Sequence, residues 1–149
     1  MATAALTGTL VSNPYQTSIV SGGFTLILTL TGDTWVAAGA TFNTQRQNII
    51  DGIDSDKSEA AGWDAVVKGT LVVASVVRTS DTVVTITLPA KGSYLITEAE
   101  TITAIIPATA LTGAAPITAS PTFTITFVSD ATAGTSSQYG GGILGGFSF

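Results

Sequence analysis

Cysteine and histidine are both missing from the 149 residues of this chain. Without cysteine there are no disulfides and no thiolate metal sites. Without histidine the commonest general base and the commonest transition-metal ligand are gone. Charge is scarce as well: Asp, Glu, Lys and Arg make up 10% of the residues, against roughly 25% in an ordinary globular protein. Only five of these are basic, and Arg46, Lys57, Lys68, Arg78 and Lys91 are scattered along the chain. A nucleic-acid binder needs a basic stripe to displace phosphate counterions, so direct nucleic-acid binding is not expected. Mean hydropathy is positive at +0.49, yet no apolar run approaches the roughly 20 residues of a membrane helix. The opening MATAALTGTLV has neither a positive n-region nor a sustained apolar core, so it does not read as a secretory signal.

What fills the chain instead is Thr, Ser, Gly and Val. Apolar residues amount to 45%, net charge is −5 and the pI is about 4.2. One domain of this length buries roughly 70% of the surface its unfolded chain exposes. The remaining surface is weakly charged and poorly defended against association, which points to coverage by neighbours.

The pattern along the chain is strand after strand, with one helical interruption. Ala4 to Val11 reads as a first strand and Asn13-Pro14 as a turn. In FTLILTLT, Phe24, Leu26, Leu28 and Leu30 alternate with Thr25, Ile27, Thr29 and Thr31. That period of two gives an apolar face and a mainly Thr face. Phe42, Arg46, Ile49, Ile50 and Ile53 then fall at helical spacing, predicting a helix from about Asn43 to Ile53 with Thr41 or Asn43 as N-cap. Gly52 weakens that prediction near its end. Thr70 to Arg78 and Thr82 to Leu88 flank Thr79-Ser80-Asp81 and read as a hairpin. Glu100 to Ile106 is a further strand stopped by Pro107, and 107–116 reads as a crossover or short helical turn. Ile117 to Val128 supplies the last strand, with Pro121 marking an edge or bulge. Roughly seven strands separated by turn signals predict a sandwich or barrel. After Ser129 the composition shifts to a Gly- and Ser-rich tail.

Several residue groups invite a chemical reading. Asp51, Asp54, Asp56 and Glu59 carry the oxygen ligands that Ca²⁺ takes, but their spacing misses the EF-hand pattern and Lys57 sits among them, so a solvated loop is expected. Asp33 and Asp64 could be the two acids that a glycosidase sets across a cleft, and each lies near a tryptophan, Trp35 and Trp63, a residue type that often lines sugar sites. The plainer reading is a turn aspartate at Gly32-Asp33, an element start at Asp64, and two packing tryptophans. Serine and threonine abound, but no activating base accompanies them. The glycines at 140–142 and 145–146 lack the Walker pattern. For Arg46 and Arg78 the expected roles are structural, Arg78 pairing with Asp81. No catalytic residue, cofactor or metal is expected.

The tail is the stronger candidate. Tyr139, Ile143, Leu144, Phe147 and Phe149 are apolar anchors that a lone monomer would leave exposed, spaced by glycines that let backbone approach another surface. Leu6, Leu10 and Val11 of the first strand come second.

Taken in order, FTLILTLTGDTWV, NTQRQNIIDGI, SEAAGWDAVV, VVRTSDTVVTITLPA and ETITAIIPATALTGAAPITASPTFTIT resemble a family of small immunoglobulin-like modules in tailed-bacteriophage structural proteins. The likeness runs from about Phe24 to Thr126. It implies a mainly β fold: an immunoglobulin-like antiparallel β-sandwich over 1–128, with a helical insertion at about 42–53 and an extended C-terminal tail over 129–149. It also implies a place in the virion, and it brings no catalytic residues. The expectation is therefore a capsid decoration (cement) protein that binds the major capsid protein or another virion protein. It would be a homo-oligomer, dimer or trimer, and contact neither nucleic acid nor membrane. The alternative is a tail- or fibre-associated protein that binds host-surface carbohydrate, which would need a concave site with exposed Trp or Tyr and nearby carboxylates. A glycoside-cleaving virion enzyme, with two opposed carboxylates in one groove, comes third.

Overall fold

The computed structural model describes residues 1–8, 24–56, 72–88 and 100–125. These residues form seven strands: β1 (Thr3–Gly8), β2 (Phe24–Thr31), β3 (Ile53–Ser55), β4 (Val76–Arg78), β5 (Val83–Leu88), β6 (Glu100–Ala104) and β7 (Thr122–Ile125). Two short helices, α1 (Ala40–Asn43) and α2 (Arg46–Asp51), lie between β2 and β3. All strand pairs are antiparallel, in a four-stranded sheet of order β1-β2-β5-β4 and a three-stranded sheet of order β3-β6-β7.

The alternation in FTLILTLT organises the larger sheet. Leu26, Leu28 and Leu30 are buried, while Thr25, Ile27 and Thr29 face the other way and are half-buried. Register places Leu28 opposite Leu6 on one side and Val84 on the other, and Ile86 opposite both Leu26 and Val76. The smaller sheet brings Ile53, Ile102 and Ala104 to the same hydrophobic cluster, with Phe123 packed against it. Both sheets thus bury one face in a shared core. Each fully buried Leu or Ile contributes about 1.5–3 kcal/mol by leaving water. At one end of this core the ring of Phe123 lies so close to Gly8 that a Cβ there would sit 2.9 Å from Phe123 Cζ.

The helical segment departs from the expected single helix. It is broken at Thr44–Gln45, and Ile53 lies on β3, opposite Ala104. Phe42, Ile49 and Ile50 are buried as the stripe predicts, because an apolar residue three places beyond Ile50 fits either a helical turn or the start of a buried strand. Gly52 decides between them. An ideal Cβ on Gly52 would lie 2.0 Å from the carbonyl oxygen of Ile105, and the Ile105 N–H donates to the Gly52 carbonyl at 2.7 Å. The chain leaves the helix where that neighbouring backbone comes in. The caps also differ from Thr41 or Asn43: Gly39 (φ 86°) precedes α1 and Gln45 precedes α2, neither with a side-chain capping bond.

Two strands are shorter than their apolar runs suggest. Val73–Ser75 forms a 3-10 turn, so the strand to Arg78 starts at Val76. Residues 117–121 are not strand either: Thr118 donates to the Ala2 carbonyl, and Pro121, which has no N–H, is buried just ahead of β7 while its carbonyl accepts from Ala104. Ala108–Ala110 is a 3-10 turn, within the segment read as a crossover or short helical turn.

Candidate docking surface

The outer face of the four-stranded sheet follows from the inner one. With Leu6, Leu26, Leu28, Val84, Ile86 and Val76 turned inward, the intervening positions line up across the strands. One row runs Thr7, Ile27, Thr85, Val77, and the next runs Ala5, Thr29, Val83. Thr85 and Thr79 share a hydroxyl–hydroxyl hydrogen bond of 3.3 Å. Among the described residues, no charged side chain occupies an outward position of this face. The described charges lie in loops, in the helical segment, on the smaller sheet, or in the case of Arg78 on the inward side of β4. Hydroxyls and branched methyls cost less to dehydrate than charged groups, provided each hydroxyl finds a hydrogen-bond partner. Sequence reading saw the two-residue period but placed binding at the chain ends. The row register across strands, which assembles the face, is a tertiary fact.

Large apolar side chains are exposed along one edge of the same sheet: Val72 (59%), Val73 (43%) and Val77 (42%). Ile105 is exposed at the junction beside Gly52, and Met1 at the first residue.

The carboxylates are mostly occupied in holding loops. Asp33 accepts from the Thr34 N–H at 2.8 Å and from the Gly113 N–H at 3.1 and 3.2 Å, tying the segment after β2 to the loop before β7. Asp56 accepts from the Thr101 N–H at 3.0 Å, and its own N–H donates to the Thr101 carbonyl. Asp51 accepts from Gln47 at 2.8 Å. No group of three potential metal ligands occurs among the described residues; Glu59 and Asp64 lie outside them. Arg78 meets Asp81 at 2.8 Å, and its guanidinium also reaches the Trp35 carbonyl at 3.4 Å.

Trp35 is buried to 1% and packs edge-on against Phe42, with ring centroids 6.3 Å apart. Its backbone bridges to Leu111, so it serves the core and is withheld from any ligand at the surface. Trp63 lies outside the described residues.

Of the partner-binding residues read from the sequence, Leu6 is buried in the chain's own core opposite Leu28, so its side chain stabilises the fold and presents nothing to a neighbour. Leu10, Val11, Tyr139, Ile143, Leu144, Phe147 and Phe149 lie outside the described residues. Among those described, no helix is long and apolar enough to cross a membrane. No family model matches the chain, and no curated protein or solved structure matches it.

Proposed function

We propose that this chain is a virion structural protein of a tailed bacteriophage, an immunoglobulin-like sandwich that decorates the capsid by docking on the major capsid protein. The immunoglobulin-like reading rests on strand order. With the seven described strands lettered A to G in sequence order, the two sheets read A-B-E-D and C-F-G, the order found in constant-type immunoglobulin domains. The helical segment then occupies the B–C connection.

The observation that carries the functional reading is the uncharged outer face of the four-stranded sheet. Four strands about 4.8 Å apart and about six residues long cover roughly 300–400 Å². A stable pairwise interface needs roughly 800 Å² per partner. The face alone is less than that, so it suits a protein held in many copies on a repeating lattice, or one whose terminal segments add contacts. In this role the chain performs no chemistry, binds no cofactor, and touches neither nucleic acid nor membrane. It would form dimers or trimers on the particle after assembly in the host cytoplasm. Burial of Trp35 removes one of the two tryptophans that the carbohydrate-binding alternative could use; Trp63 lies outside the described residues.

Co-sedimentation with empty, undecorated phage shells tests the proposal, using the full chain, a chain ending at 128, and Thr85→Lys. Binding by the full chain and its loss with Thr85→Lys support docking through the sheet. Loss on truncation alone moves the contact to the tail anchors. No binding by the full chain overturns the decoration role.

A further inference from the structure

We infer that β1 is an exchangeable strand: the slot it fills beside β2 also takes the same strand of a second copy of this chain. Among the described residues β1 lies at the edge of its sheet and pairs with β2, from Thr3 opposite Thr31 to Gly8 opposite Leu26. Gly8 therefore ends one strand spacing, about 5 Å, from β2. A hairpin at that spacing closes with about two to five residues. Here residues 9–23 join Gly8 to Phe24. Fifteen residues can reach roughly 50 Å, whereas a compact chain of this size has a radius of gyration of about 15 Å. The length of the connection therefore does not confine β1 to its own sheet.

The inward side of β1 says which strand the slot accepts. Ala2 and Leu6 are buried, Ala4 packs against the core cluster, and Leu6 lies opposite Leu28. Two positions on, the Phe123 ring leaves room for glycine but not for a Cβ at Gly8. At its start, the Ala2 carbonyl accepts from the Thr118 N–H at 3.0 Å. Alternate positions must therefore be small, small, leucine and glycine, and a second copy carries that pattern by identity. Exchange replaces each of these contacts with the same contact, so Leu6 is buried in either arrangement and the tether alone separates the two. A connection of this length sets a local concentration on the order of millimolar. A second copy competes when the protein itself reaches that range. The inference concerns two copies in solution and does not depend on the capsid reading.

Disulfide trapping tests it, because the chain has no cysteine of its own. Ala5 and Thr29 face each other on the outward side of the β1–β2 pair. Full chains carrying Ala5→Cys or Thr29→Cys are prepared separately. They are mixed in equal amounts at about 1 mM, unfolded in urea, refolded together and oxidised. In the unexchanged fold neither variant holds two facing thiols. Exchange sets β1 of one variant beside β2 of the other. The disulfide joining the two variants should then exceed either homodimer by more than about fivefold, against about twofold for chance collision. A ratio no higher than chance overturns the inference. Failure of the doubly substituted chain to form this disulfide at all overturns it too, since the register on which it rests would be absent.

Discussion

Replacing Gly52 with alanine should destabilise this protein, although helix propensity taken alone predicts the reverse. Gly52 has ordinary backbone angles (φ −80°, ψ −8°) at the end of α2, so no left-handed conformation demands glycine. Alanine there would gain about 1 kcal/mol from helix preference and a stiffer unfolded chain. The opposing term is space. The new Cβ would sit 2.0 Å from the Ile105 oxygen and 3.1 Å from its carbonyl carbon, and this neighbour is backbone, not the end of a flexible side chain. Restoring even 3.0 Å requires about 1 Å of movement between α2 and the chain after β6, and overpacking of this kind costs about 1–3 kcal/mol. That movement also stretches the 2.7 Å bond from the Ile105 N–H to the Gly52 carbonyl, worth about 1 kcal/mol. It disturbs the first rung of the β3–β6 ladder, Ile53 opposite Ala104. The net expectation is about 2–3 kcal/mol of destabilisation, the upper part of that range once the rigid backbone is considered. For a domain of this size that lowers Tm by roughly 5–10 °C. Urea unfolding and calorimetry of wild type and Gly52→Ala measure it. A Tm equal to or above wild type would refute the steric argument.

Leu28→Ala removes a fully buried side chain that sits between Leu6 and Val84, and urea denaturation should register a loss of about 2–5 kcal/mol. Asp33→Ala leaves the Thr34 and Gly113 N–H groups without their acceptor. The expected cost is about 1–2 kcal/mol, with faster amide exchange at Gly113 in particular. Gly8→Val places branched carbons against the Phe123 ring and should lower stability by about 1–3 kcal/mol, with the Phe123 ring resonances shifted more than those of Trp35. Thr85→Lys, on the outer row, should change stability by no more than about 0.5 kcal/mol; a large loss of stability would mean that this face is already covered within the chain.

How much of this could be read in advance depended on whether the signal was local. The leucines of FTLILTLT announced their sheet face because the side-chain period of a strand is set by the backbone alone, and Leu26, Leu28 and Leu30 are buried accordingly. The turn at Thr79-Ser80-Asp81 was legible for the same reason: short polar residues close a hairpin locally, here with Ser80 Oγ accepting from the Thr82 and Val83 N–H groups. Phe42, Ile49 and Ile50 were recognisable as buried, but the fate of Ile53 was not. Helical and strand periodicities coincide over so short a step, and only the approach of Ile105 to Gly52 separates them.

The candidate site was less legible than the fold. Leu6 looked like an available contact because an alternating strand has two faces, and nothing local says which of them meets β2's leucines. Trp35 fitted a sugar site as well as the plainer reading of core packing, and only its contacts with Phe42 and Leu111 decide for the core. Composition by itself determined that charge would be scarce and that thiol and imidazole chemistry are absent, and the two-residue period announced antiparallel strands. Which uncharged residues share a face and which of the described carboxylates are spent on loops were decided by contacts between segments far apart in the chain. Those contacts depend on how the two sheets pack, and no local pattern of residues encodes that.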